Sequence, residues 1–108
     1  MKKPLVSLIA VSYNHEKYLI NSLEFLINQT YNNIELILID DGSSDNTFSK
    51  INSIKEKLYK RFKMVFITTK KNQRVTKTLN LGLKIAKGDY IIFFSTDDFV
   101  QNKNRKTN

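Results

Sequence analysis

The stretch Leu36-Ile37-Leu38-Ile39-Asp40-Asp41-Gly42-Ser43-Ser44-Asp45 decides the fold. Four consecutive apolar residues without polar alternation mark a strand buried on both faces, the way strands sit in a parallel sheet covered by helices. The strand then stops on two carboxylates, a glycine and two hydroxyls. Ligands of open α/β sheets bind in the crevice beyond the carboxyl ends of the strands, so this run puts acidic and hydrogen-bonding groups where a ligand is held. A plainer reading competes: Asp-Gly is a common turn pair, and Ser44 or Asp45 can cap the helix that follows. A calcium loop of the EF-hand kind does not fit, because counting from Asp40 the glycine comes third and Ile51 twelfth. A second acidic strand end, Tyr90-Ile91-Ile92-Phe93-Phe94-Ser95-Thr96-Asp97-Asp98, favours the ligand reading. Two buried strands that both end on paired carboxylates are hard to explain by turns alone.

Outward from this strand, Leu5 to Val11 reads as a first buried strand. Leu19, Ile20, Leu23, Leu26 and Ile27 fall at helical spacing, which predicts an amphipathic helix over 16–29. Gln29 to Asn33 turns the chain into the second strand, 34–40. A second helix over 45–61 starts from Ser44 or Asp45 and carries Phe48, Ile51, Ile54 and Leu58 on one side. Met64 to Ile67 is a short third strand. Val75, Leu79, Leu83 and Ala86 mark a third helix, which Gly88 closes as a C-terminal cap. The fourth strand covers 90–95. Alternation β-α-β-α-β-α-β with short connections implies right-handed crossovers and a doubly wound parallel sheet.

At 108 residues the chain holds one domain at most, small for an α/β enzyme. Its 41% hydrophobic content is that of a globular protein, and no apolar run is long enough for a membrane span. The absence of cysteine excludes disulfides and thiolate metal sites and fits a reducing compartment, so a cytoplasmic location is expected. The net charge of +8 is uneven: twelve basic residues between Lys50 and Lys87 face one acid, Glu56. Such a basic face is either a solvated helix surface or a contact for phosphate-rich ligands or anionic lipid, giving a peripheral position at the inner side of a membrane. Nucleic acid is not expected as a partner, because no binding motif is present and the acidic strand ends repel a phosphate backbone. The polar tail 99–108 is expected to be disordered.

These residues taken together resemble the N-terminal, nucleotide-binding half of the family 2 glycosyltransferases, which have the GT-A fold and use nucleotide-diphosphate sugars. The likeness runs through Ser12-Tyr13-Asn14, Tyr18-Leu19, Leu23, Gln29-Thr30-Tyr31 and Asp40 to Thr47. It continues through Asn72, Asn80, Gly82-Leu83, Ala86 and Gly88 to Ile91, and ends at Asp97-Asp98. It implies a Rossmann-like three-layer sandwich with a mostly parallel sheet, incomplete at the C-terminus, with residues 1–98 forming part of the nucleotide-binding domain. It also implies that the donor nucleotide, expected as UDP, lies across the ends of the first, second and fourth strands. Ser12, Tyr13 and Asn14 would border the base, and Asp41 would accept a hydrogen bond from a ring N–H. Asp97 would take the ribose hydroxyls, and Asp98 together with Asp97 would hold Mn²⁺ or Mg²⁺ against the diphosphate.

Some positions depart from the family pattern. Ser95 replaces an acid, Thr78 an alanine, and Arg74 a glycine; a guanidinium there could reach the diphosphate or simply sit on the surface. His15, the one histidine, is expected at the start of the first helix without catalytic duty. No catalytic base is assigned, since family members carry that group and the acceptor pocket beyond the acidic pair. The expectation is therefore a truncated transferase that binds donor, possible acceptors being surface polysaccharide or lipopolysaccharide, with an exposed fourth strand that promotes self-association. Two other readings stay open: a non-catalytic relic that binds nucleotide weakly or not at all, and a response-regulator-like Mg²⁺-binding signalling domain.

Overall fold

The computed structural model describes residues 3–72 and 74–96. Asp97, Asp98 and the tail 99–108 lie outside the described residues, and the expectations placed on them with it. Four strands, β1 (Val6–Ser12), β2 (Ile34–Asp40), β3 (Met64–Thr69) and β4 (Tyr90–Ser95), alternate with helices α1 (Leu19–Ile27), α2 (Thr47–Arg61) and α3 (Val75–Ile85). The sheet order is β3-β2-β1-β4 and every pairing is parallel. The expected mostly parallel sheet is thus wholly parallel among the described residues.

Strand parity explains the layers, because successive side chains point to opposite faces. Leu8, Ala10, Leu36 and Leu38 pack with Leu19, Leu23 and Leu26 of α1 and Ile51, Ile54 and Leu58 of α2. Ile9, Val11, Ile37 and Ile39 pack with Leu79, Leu81 and Ile85 of α3 on the other face. The middles of the two central strands are therefore apolar on both sides, since each face meets a helix. The chain winds from β1 to β2 to β3 with helices on one face. It then crosses back over the opposite face to place β4 on the far side of β1. The direction of winding reverses between β1 and β4, which is where the crevice of such sheets opens.

Among the described residues β4 is an edge, and its first half is open: Tyr90, Ile91, Ile92 and Phe93 are 62, 40, 51 and 49% exposed. This matches the exposed fourth strand expected from the sequence. The basic residues from Lys50 to Lys87 divide between α2 and α3 on opposite faces of the sheet and the ends of β3, so the expected single basic face is split in two.

Local chemistry corrects three boundaries. α1 starts at Leu19 rather than residue 16, because residues 15–18 form a turn in which the Tyr18 and Leu19 amides both donate to the His15 carbonyl. α2 starts at Thr47, with Asn46 as its cap residue. Gly88 does not close α3: the helix ends on Ala86 in an extended conformation. Gly88 is needed for another reason. A Cβ there would stand 2.5 Å from Ser7 Oγ and 2.7 Å from the Ser7 amide nitrogen, against the backbone of β1. Its own amide donates to Ser7 Oγ (2.8 Å), which donates to the buried Glu35 (2.6 Å), while the Lys87 amide donates to the same Glu35 oxygen (2.9 Å). This knot ties the α3–β4 turn to β1 and β2 at the end of the sheet opposite the acidic strand ends.

Candidate nucleotide site

The carboxyl end of β1 organises the site. Its two last carbonyls point to opposite edges, as consecutive carbonyls in a strand must. The Ser12 carbonyl accepts from the Asp41 amide (2.8 Å), and the Val11 carbonyl accepts from the Thr96 amide (3.2 Å). The residues just after β2 and just after β4 therefore hang from adjacent positions of one strand. The ends of β2 and β4 share one rim. Asp97 and Asp98 follow Thr96 in the chain and lie outside the described residues.

Asp40 and Asp41 are neighbours with opposite surroundings. Asp40 continues the Leu36, Leu38 parity into the α1/α2 layer and is buried. Its Oδ1 accepts from Ser12 Oγ (2.8 Å) and Ser43 Oγ (2.6 Å), and its Oδ2 from the Ser43 amide (3.0 Å) and Thr69 Oγ1 (3.1 Å). A carboxylate with four donors is fully employed in shaping the loop. Asp41 meets Lys70 instead, Nζ to Oδ1 at 2.7 Å, with the lysine side chain 18% and the aspartate side chain 3% accessible. The Asn72 side chain donates to the Asp41 carbonyl (3.1 Å). Gly42 takes φ +73°, and a Cβ there would stand 2.5 Å from the Asn72 amide nitrogen, so glycine is needed where this loop passes the end of β3.

The loop after β1 lies between the two acidic ends. Asn14 is left-handed (φ 51°), a conformation asparagine tolerates, and its Oδ1 accepts from the Ser44 amide (2.8 Å) and more weakly from that of Asp45 (3.4 Å). Its own amide donates to Ser43 Oγ (2.9 Å). The amides of Thr47 (2.9 Å) and Glu16 (3.3 Å) donate to Asp45. Burial opposes ionisation of Asp45. Hydrogen bonds from the Thr47 hydroxyl and amide, the Glu16 amide and its own amide outweigh that and hold the carboxyl below its ordinary value of 3.8. His15 donates its amide to Thr47 Oγ1 (2.9 Å) and places Nδ1 2.8 Å from Thr96 Oγ1.

Of the residues singled out in the sequence, Ser12, Tyr13, Asn14 and Asp41 are thus gathered at the rim, in distinct parts. Tyr13 is 41% exposed and, with Val11, His15, Leu79, Phe93, Phe94 and Ser95, lines a crevice of about 410 Å³ between the ends of β1 and β4. Ser12 is buried and its hydroxyl is spent on Asp40, so it acts on the site by orienting the carboxylates rather than by facing a ligand. Asn14 uses its amide oxygen on the Ser44–Asp45 backbone. Arg74 is exposed at the start of α3, the end of that helix nearest the rim, because helices of parallel crossovers run against their strands. Lys70 and Asp40 were missed: a lysine in a basic run carries no signal of its own, whereas the parity of Asp40 with Leu36 and Leu38 would have separated it from Asp41. Among the described residues no group of three or more His, Asp or Glu could hold a metal ion.

The model of the glycosyl transferase family 2 matches residues 7–105. The chain belongs to family 2 of the glycosyltransferases. It is 48% identical over 102 residues to an uncharacterized glycosyltransferase of Haemophilus influenzae, covering 94% of this chain and 40% of that protein. It is 38% identical over 95 residues to the UDP-Glc:alpha-D-GlcNAc-diphosphoundecaprenol beta-1,3-glucosyltransferase WfaP of Escherichia coli, covering 88% and 36%. Among solved structures, a Pyrobaculum calidifontis mannosyltransferase in complex with GDP-Man and Mn²⁺ superposes with a TM-score of 0.79 at 21% identity, over 89% of this chain and 28% of that one. Residues 1–349 of Staphylococcus aureus TarS in complex with UDP-GlcNAc give 0.75 at 25% identity, over 93% and 30%. The GT-A fold is thereby shown. This family 2 chain spans two fifths or less of each of these proteins. The response-regulator alternative falls with the family match, and also because β1 ends on Ser12 rather than on acids.

Proposed function

We propose that this family 2 chain holds the donor half of a sugar-transfer site, binding a nucleoside diphosphate sugar, UDP-linked by preference, with a divalent cation. One observation carries the reading: the Asp41 and Thr96 amides hang from consecutive carbonyls of β1, so a single ligand can reach both acidic strand ends. At the first end, Asp41 accepts from the imino N–H of a uracil ring. Lys70, already held against Asp41, donates to the adjacent ring carbonyl. A cytosine ring, with an acceptor at that ring nitrogen, faces the carboxylate unfavourably. Tyr13, exposed on the loop after β1, offers a ring face for stacking. Beyond Thr96, Asp97 and Asp98 supply the hard oxygen ligands that Mn²⁺ or Mg²⁺ prefers. The described residues hold no competing cluster. When bound, the cation neutralises charge on the departing diphosphate. Arg74, exposed at the rim end of α3, would meet phosphate oxygens.

The acceptor we propose is a lipid-linked or surface polysaccharide precursor, in line with the relative named for a diphosphoundecaprenol substrate. No described helix is long and apolar enough to cross a membrane. Contact with anionic lipid would use α2 or α3 singly. Calorimetric titration with UDP, GDP, CDP and UDP-sugars, with and without Mn²⁺, tests the donor site. Metal-enhanced UDP binding that Asp41→Ala and Asp98→Ala remove supports it. Absence of such binding, or equal binding by Asp41→Ala, counts against it.

A further inference from the structure

Every polar group of Thr96 is held by a different part of the fold. Its amide donates to the Val11 carbonyl of β1, its carbonyl accepts from Ser22 Oγ of α1, and its hydroxyl meets His15 Nδ1 of the β1–α1 loop. Thr96 is also completely buried. A residue so held has one backbone orientation. His15 is itself tied to the other acidic strand end. Its amide donates to Thr47 Oγ1, Thr47 Oγ1 donates to Asp45, and the neighbouring Asn14 holds the Ser44 and Asp45 amides. A continuous run of hydrogen bonds thus passes from the loop after β2, through His15, to the residue that precedes Asp97.

We infer that His15 is a positioning residue: through Thr96 it fixes the end of β4 relative to Asp41. This rests on the donor-site reading above and assigns no catalytic contact to the imidazole. It goes beyond the expectation that the histidine merely opens a helix. The chemistry asks for a side chain with a hydrogen-bonding atom two bonds from Cβ. Histidine Nδ1 provides it, as does an asparagine amide, whereas alanine does not.

The test compares wild type, His15→Ala, His15→Asn and Thr96→Val in the full chain by calorimetry with UDP alone and UDP with MnCl₂, alongside hydrogen exchange at the β4 end. Loss of the hydrogen bond should cut the Mn²⁺ enhancement of UDP affinity about fivefold to tenfold in His15→Ala and Thr96→Val. Metal-free UDP affinity, which reads the Asp41 end, should stay within about twofold. His15→Asn should restore the enhancement, and exchange at Ser95 and Thr96 should rise in His15→Ala and Thr96→Val but not in His15→Asn. Equal loss of both affinities, as general damage would give, overturns the inference, and so does an unchanged enhancement. Failure of wild-type UDP binding to respond to Mn²⁺ instead overturns the donor-site reading, and the inference falls with it.

Discussion

Replacing Asp40 separates the carboxylate that builds the loop from the carboxylate proposed to meet the ligand. Asp40 accepts four hydrogen bonds, two on each oxygen, and is buried. Truncation to alanine leaves four donors to find other partners: the Ser12, Ser43 and Thr69 hydroxyls and the Ser43 amide. The hydroxyls can rotate, but the amide cannot. With about 1–3 kcal/mol for a buried donor left unpaired, and partial recovery by the hydroxyls, Asp40→Ala should cost about 4 kcal/mol. Asp40→Asn has a gentler option. Its oxygen can keep the Ser43 amide and Thr69 while its amide group turns to the Ser12 and Ser43 hydroxyls, which reverse to accept. What is lost is the charge assistance, roughly 2 kcal/mol. Against a stability of about 5–15 kcal/mol for a domain of this size, both are large. In urea, with a slope of about 1.5 kcal/mol/M, the midpoint should fall by about 1.3 M in the asparagine variant and about 2.7 M in the alanine variant. The paired Asp41→Ala variant should lose under about 1.5 kcal/mol, since Lys70 can turn its ammonium to water. A midpoint for Asp40→Ala within about 0.5 M of wild type, or a larger loss for Asp41→Ala than for Asp40→Ala, would refute the division of labour.

Three other outcomes are expected. Lys70→Met should weaken UDP binding about tenfold in calorimetry, because it removes one charge-assisted donor from the base, and should also lower stability, because the buried Asp41 carboxylate loses its cation. Gly42→Ala should lower stability by about 2 kcal/mol in thermal unfolding, since the backbone there is left-handed and the added Cβ meets the Asn72 amide nitrogen at 2.5 Å. For Asp45 the sign follows from its lowered pKa: its contribution is present above the ordinary 3.8 and is lost as pH falls through the folded value below it. The stability gap between wild type and Asp45→Asn should therefore be constant at neutral pH and close below 3.8, as acid titration by circular dichroism would read. A gap that widened on acidification would contradict the hydrogen bonds assigned to that carboxylate.

The seven elements were legible because their burial is carried by unbroken apolar runs and helical spacings that no loop would need. Leu36 to Ile39 could only be a doubly covered strand, and the winding followed from the alternation of elements. What escaped were features decided by partners distant in sequence. β3 extends to Thr69, past the apolar run, because Thr68 and Thr69 pair with Ile39 and Asp40. Gly88 reads as a helix cap from its neighbours, yet its role is set by Ser7 on a strand far earlier in the chain. Lys70 looked like one basic residue among many until the fold set it against Asp41. His15 looked idle because its partners, Thr47 and Thr96, are remote from it along the chain.

The attachment of Asp41 and Thr96 to opposite sides of β1 also works as a ruler. They belong to strands two places apart, so about 10 Å separates them across the rim. On the proposed donor reading, a lone base, or pyrophosphate with its counter-ion, would engage one side and leave the other to water, whereas an intact nucleotide would bridge the gap. Fragments of the donor should each bind far more weakly than the whole, and the span itself becomes the first filter on which small molecules this protein retains.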